Sequence, residues 1–207
     1  MDRDLDRSLG GKGIRRVALH EAGHALVRLK SGSVFGHISF ISIVPRPDGS
    51  LGFVALKPNA DAATLNRADF LAHLQVTLGG RAAEEVFYGP EGVGAGAGGS
   101  EFSDLARATA MAVDMVCRLG LGVKPALFWR EIPRDADCKE AEALLSEAYE
   151  QARELISIHR DLVERIAGVL IERQEISEED LQKLVVFSIQ ANPLEQASIL
   201  RETRNEV

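Results

Sequence analysis

The stretch Val17-Ala18-Leu19-His20-Glu21-Ala22-Gly23-His24-Ala25-Leu26-Val27 decides how the rest of the chain is read. The spacing of Val17, Leu19, Ala22 and Leu26 predicts a helix over 14–30, ended by Ser31-Gly32-Ser33. At its centre His20, Glu21 and His24 spell H-E-x-x-H. Residues four apart lie about 40° apart around a helix and one turn along it, so both imidazoles project from one face and can chelate one ion. Glu21 adjoins them, within reach of a metal-bound water. Zinc lowers the pKa of such a water towards about 7, and a neighbouring carboxylate can take its proton and later return it to a leaving amine.

Three fixed positions in five recur by chance about once in eight thousand windows at ~5% usage per residue type. The plain alternative is a surface helix with two ordinary histidines. The apolar flanks argue against it, because two imidazoles in a buried helix need partners. A catalytic zinc takes three protein ligands, so a third His, Asp or Glu must come from elsewhere. The remaining histidines are His37, His73 and His159, and each reads more naturally as structural or surface. Lys30 stands where a metzincin would place its third histidine.

Outward from this helix, His37 to Val44 alternates and is β-branched, and Leu51 to Leu56 follows a Pro/Gly turn, which predicts a hairpin. Asp69 to Phe87 reads as a helix with Leu71, Leu74 and Leu78 on one face. Gly79-Gly80 inside it means either a close backbone approach or a kink. Residues 89–99 form a glycine-dense loop, and Ser100 to Leu119 a further helix with Leu105, Ala108, Ala112 and Met115 inward. Ala126 to Trp129 is expected as a third short strand. From Lys139 to Arg173 the seam Leu145, Ala148, Ala152, Leu155, His159, Leu162, Ile166, Val169 predicts two helices with a break near His159-Arg160-Asp161. Ser177 to Asp180 resembles a capping box opening a last helix through Val186. The fold class is therefore mainly α (α+β), with a small β-sheet next to the H-E-x-x-H helix. Residues 1–13 read as a flexible lead-in and 191–207 as a tail. Residues 14–190 read as one domain, with a metal-site half (14–120) and a C-terminal helical half (137–190).

The chain has 207 residues, 24 Lys and Arg against 31 Asp and Glu, a net charge of −7 and a pI near 5.3. That balance argues against nucleic acid or an anionic membrane as the main partner. Cys117 and Cys138 lack both disulfide-framework and zinc-knuckle spacing, and fit a reducing, cytoplasmic compartment. No apolar run reaches the length of a membrane span, and the charged start is unlike a signal peptide. Membrane association is expected only through a segment or partner outside this chain.

Several blocks together resemble the peptidase domain of FtsH-type ATP-dependent zinc metalloproteases. They are the H-E-x-x-H helix, Ile43-Val44-Pro45-Arg46 with Leu51-Gly52, Leu78-Gly79-Gly80-Arg81-Ala82-Ala83-Glu84-Glu85-Val86, and Ser103-Asp104-Leu105-Ala106-Arg107-Ala108-Thr109. The stretches Ala148-Tyr149-Glu150, His159-Arg160-Asp161 and Leu170-Ile171-Glu172 continue the likeness, in order, over about residues 14–185. The resemblance implies a zinc-dependent endopeptidase for unfolded polypeptides, with His20, His24 and Asp104 as metal ligands, one Zn2+ per chain and Glu21 as the catalytic base. It also implies a hexameric ring, fed by an AAA ATPase module acting in cis or in trans. ATP would enter only through that module, since no G-x-x-x-x-G-K-[ST] stands in this chain. Asn commonly precedes the aspartate in the family, and here Ser103 does. A substrate strand is expected along the edge at 37–44 or 51–56.

Gly94-Ala95-Gly96-Ala97-Gly98-Gly99 fits G-x-G-x-x-G but has a helix where a dinucleotide site needs a strand. Two rival readings stand beside the peptidase: a catalytically silent assembly or substrate-docking module of the same fold, and a zinc hydrolase with a non-peptide substrate. The complete H-E-x-x-H speaks against the first, because Glu21 could be lost without cost to folding. The whole-chain likeness does not favour the second.

Overall fold

Among the described residues, apolar positions three and four apart drive six α-helices to pack, and one short sheet closes a flank. The computed structural model describes residues 4–32, 35–47, 49–57, 64–95, 99–124 and 127–191, the side chains from 11 to 186. The order is α1 (Asp4–Lys30), β1 (His37–Ser42), β2 (Phe53–Lys57), α2 (Arg67–Tyr88), α3 (Asp104–Cys117), α4 (Asp135–Ile158), α5 (Arg160–Arg173), β3 (Glu175–Ser177) and α6 (Glu178–Ala191). The fold is mainly helical with a small antiparallel sheet, in line with the sequence.

Helix α1 begins ten residues before the expected start, so residues 4–13 are helical where an irregular lead-in was expected. Adding a residue to an existing helix is far easier than starting one, so Gly10, Gly11 and Gly13 weaken the extension without stopping it. The buried middle of α1, from Ala18 to Val27, packs with β1, α2, α4 and α5 in the larger core cluster. Helix α2 opens on a full capping box, with Asn66 and Asp69 each bonding the other's backbone.

Strand β1 is central, between β2 and β3, and both pairings are antiparallel. A bulge between Ile38 and Phe40 resets the alternation, which is why Ile38 and Ile41, three apart, are both buried. The third strand is Glu175–Ser177, not the Ala126–Trp129 segment. Ala126 lies outside the described residues, and Leu127 to Trp129 are irregular. Gln174 supplies the turn that returns the chain from α5 into β3, with a left-handed φ of 65° and its carbonyl accepting from the Ile43 N–H.

The helix break falls at His159 as expected, and the Ser177 hydroxyl accepts from the Asp180 N–H at the start of α6. The expected seam of α4 and α5 holds at Ala148, Ala152, Leu162 and Ile166, all buried, and slips by one residue at Leu145, Leu155 and Val169. Leu144, Ile156 and Leu170 fill the core, while Leu145, Leu155 and Val169 lie at its edge. A second, smaller core joins Leu74 and Leu78 of α2 to Ala108, Ala112 and Met115 of α3 and Leu144 and Ala148 of α4. Leu105, expected inward, is exposed. The expected tail from residue 192 onward, and residues 1–3, lie outside the described residues.

Candidate metal centre

Helices α1 and α2 run side by side at unusually short range, and glycine makes it possible. A Cβ on Gly23 would stand 2.5 Å from the Gly79 carbonyl oxygen. One on Gly80 would meet His20 Nε2 at 2.3 Å. The Gly79-Gly80 pair thus marks a close backbone approach that leaves room for an imidazole. Gly52, just ahead of β2, does the same for Glu21, whose Oε1 would lie 2.6 Å from an added Cβ.

His20, His24 and Asp104 come together. His20 Nε2 and His24 Nε2 are 3.1 Å apart, and each is 3.1 Å from Asp104 Oδ2. Asp104 is the first residue of α3, where the helix dipole favours an anion. Ser103 is its N-cap, accepting from the Ala106 N–H at 3.3 Å, so serine keeps the capping chemistry expected of asparagine there. Glu21 is buried beside them. His37, His73 and His159 stay away from the cluster; His73 stacks on Phe35 at 4.1 Å.

Each imidazole is fixed from behind. His24 Nδ1 donates to the Val76 carbonyl at 2.7 Å, and His20 Nδ1 to Glu84 Oε1 at 2.8 Å. Glu84 also accepts from Arg16 at 2.6 Å and from the Gly94 N–H at 2.8 Å. Sequence reading passed over Glu84. It stands in one of the blocks that resemble the family, beside Glu85, four residues after Gly80 and next to the small Ala82 and Ala83, and has no role assigned there.

A carbonyl can only accept, and so can an ionised carboxylate, so both Nδ1 atoms carry hydrogen and both Nε2 lone pairs turn inward; the tautomers are assigned from these partners. Two lone pairs and a carboxylate oxygen facing one another at 3.1 Å call for a shared cation. The surrounding negative charge favours a cation at this point, either a metal ion or a proton shared with Asp104. Burial opposes charge on His20, yet Asp104, Glu84 and Glu21 outweigh it and push its pKa up to about 10. Burial would raise Glu84, but hydrogen bonds from His20, Gly94 and Arg16 hold it at about 2. Asp104 is likewise held well below the usual carboxylate range, against its burial, by His24 and His20. Glu21 shifts upward, because burial outweighs the pull of the two imidazoles. The donor set matches the three protein ligands of a catalytic zinc, two imidazole nitrogens and a carboxylate oxygen.

Fold and motif place the chain among helical peptidase domains built on H-E-x-x-H, and comparison with known proteins narrows the class. The family model described as peptidase family M41 matches residues 9–131, and the chain belongs to that family. It is 32% identical to an ATP-dependent zinc metalloprotease FtsH of Kosmotoga olearia, over 90% of this chain and 31% of the relative. It is 35% identical to that of Methylibium petroleiphilum, over 85% of this chain and 31% of the relative. The Thermotoga maritima protein of the same name is 32% identical over 83% of this chain and 30% of its own length. The chain thus spans about a third of the length of the curated relatives it matches. No helix among the described residues is long and apolar enough to cross a membrane.

Proposed function

We propose that the chain is a zinc-dependent endopeptidase that hydrolyses peptide bonds of unfolded polypeptides. The observation that carries this reading is the convergence of His20 Nε2, His24 Nε2 and Asp104 Oδ2 at 3.1 Å with Glu21 alongside. His20, His24 and Asp104 hold one zinc ion. When bound, it supplies Lewis acidity and acidifies a water at neutral pH. Glu21, its pKa raised by burial, takes the proton of the attacking water and returns it to the leaving amine. Glu84 and the Val76 carbonyl keep the two imidazoles in the ligating tautomer.

The substrate lies extended along the edge of the sheet. Strand β1 is excluded over Phe40–Ser42, where β2 and β3 pair with its two sides. Among the described residues strand β2 keeps an open edge, and it starts beside Gly52, against Glu21. Backbone bonds along that edge would carry a peptide to the carboxylate with little regard for sequence, as an unfolded substrate requires. Residues 14–190 form the peptidase unit. Unfolding is left to an AAA ATPase module in cis or in trans, in a homo-oligomeric, hexameric assembly. The setting is the cytoplasm, and any membrane attachment comes from a segment or partner outside this chain.

Cleavage of an unfolded fluorogenic polypeptide with zinc supplied, beside a Glu21→Gln control, tests the reading. Zinc-dependent cleavage lost in the variant supports it. One zinc per chain with no cleavage by either protein points instead to a docking or assembly module. A peptide N-methylated along its backbone that competes as well as its parent overturns the edge-strand part.

A further inference from the structure

Arg16 stands one turn ahead of His20 on the metal-bearing face of α1, so Arg16, His20 and His24 recur at every fourth residue. The peptidase reading uses both histidines and leaves Arg16 without a role. One guanidinium nitrogen makes two contacts. Arg16 Nη1 donates to Glu84 Oε2 at 2.6 Å and to the Gly92 carbonyl at 2.6 Å. An NH2 group has two hydrogens, so both are engaged. The guanidinium carbon lies 4.6 Å from the centre of the Tyr88 ring. From the other side, the Gly94 N–H donates to the same Glu84 oxygen at 2.8 Å. The turn after α2 therefore accepts from Arg16 through Gly92 and donates to Glu84 through Gly94, which closes a ring of hydrogen bonds around one carboxylate oxygen.

The ring matters because of what the other oxygen does. A glutamate carboxylate rotates about its last bond, a torsion with only a broad preference. Oε1 stays on His20 Nδ1, at 2.8 Å, only while that rotation is held. The two donors on Oε2 hold it. Glu84 is 2% exposed, so a donor lost there is not simply replaced by water. The glycine gives the ring its room, since a Cβ on Gly94 would stand 3.0 Å from Glu84 Oε2 and 3.2 Å from Arg16 Nη1. Arg15, the next residue along, shows the contrast: it pairs with Glu164 at 3.5 Å and reaches none of these groups.

We propose that Arg16 is a positioning residue of the metal centre: through Glu84 it fixes the ring of His20, and it fastens that ligand to the turn at Gly92 and Gly94. The proposal rests on the zinc reading above and goes beyond it by naming a residue one contact further out. Arg16 touches neither the ion nor the substrate. Its effect on metal binding must therefore pass through Glu84 and vanish when that side chain is gone.

Competition with a chromophoric chelator measures the zinc affinity of the whole chain. Co2+ in place of zinc reports ligand geometry through its visible absorption. Arg16→Met and the milder Arg16→Gln should each lower zinc affinity about tenfold, the lower end of the range for outer partners of metal-bound histidine, and change the cobalt spectrum. Arg15→Met removes the same charge from the neighbouring position and should change neither. In a Glu84→Ala background, Arg16→Met should lower affinity by less than about twofold more. An equal loss in Arg15→Met assigns the effect to net charge and overturns the proposal. So do unchanged affinity and spectrum in the Arg16 variants, or losses that multiply in the double variant. Circular dichroism is recorded alongside, and Arg16→Gln decides should Arg16→Met not fold. Unfolding of both would show that Arg16 holds the fold and not the ligand, which also overturns it. A wild-type chain that binds neither ion sinks the metal centre itself and this role with it, so the two failures are told apart.

Discussion

Gly23 and Gly79 face each other across the α1–α2 contact so closely that a Cβ on Gly23 would lie 2.5 Å from the Gly79 carbonyl oxygen and 2.6 Å from Ala83 Cβ. Both obstacles are backbone or backbone-fixed, so neither can swing aside. Gly23→Ala must therefore push the helices apart. Overpacking of this kind costs about 1–3 kcal/mol or more, and chemical denaturation should show a loss of that size. The same displacement moves Val76 and Glu84 away from the histidines they orient, so zinc affinity should fall along with stability.

Gly168 lies in α5 and an added Cβ there would meet nothing within 4 Å. Gly168→Ala should raise stability by about 0.5–1 kcal/mol, the propensity difference alone. An unfolding midpoint that drops would show that the space beside α5 is filled by a partner.

Glu84 touches no substrate in the proposed mechanism and acts through His20. Glu84→Gln keeps the shape but removes the charge that holds the His20 Nδ1 hydrogen. Zinc affinity should fall about 10–100-fold. Competition with a chromophoric chelator measures it directly. If Glu84 were only structural, affinity would stay and stability alone would change.

His73 gives the clearest dependence of stability on pH. Burial, with Arg28 and Arg107 adding to it, lowers its pKa to about 4 in the fold, against 6.5 when unfolded. Between those values the unfolded chain binds a proton that the folded chain refuses, so stability falls as pH drops from about 6.5 towards 4. His73→Phe, which can keep the stack on Phe35, should flatten that part of the curve in urea titrations at stepped pH. An unchanged slope would assign the acid sensitivity elsewhere.

Metal removal should leave the helices standing. His20, His24 and Asp104 belong to neither apolar core cluster. Chelation should lower the melting temperature by the free energy of binding, set by zinc concentration relative to its Kd. Far-ultraviolet circular dichroism should hold. Collapse of helicity on chelation would mean that the ion organises α1 and α3 and not only the site between them.

The parts of the fold that sequence reveals are those set by local periodicity and by chemistry with fixed spacing. H-E-x-x-H placed His20, Glu21 and His24 on one turn without help from the rest of the chain. Asp104 lies 80 residues beyond His24, and only the family resemblance tied it to them. Glu84 stood beside Glu85 in a family-like block but was given no role, because a glutamate within a helix carries no pattern of its own; its meaning comes from Arg16, His20 and Gly94 converging on it in space. The third strand was misplaced for a related reason. Leu127 to Trp129 has the composition of a strand, but strand formation needs a partner edge, and Glu175–Ser177 occupies that edge of β1. Leu105 was read as core from helical spacing, yet Ala108, Ala112 and Met115 already fill the contact with α2 and α4.

The pairing of β1 with β3 has a consequence for biosynthesis. Phe40 pairs with Ser177, so the sheet that flanks the metal helix stays incomplete until Ser177 has left the ribosome. At about 5–20 residues per second, β1 spends on the order of ten seconds with one side unzipped. The nascent chain is therefore exposed to mispairing just where the finished protein is proposed to receive unfolded strands.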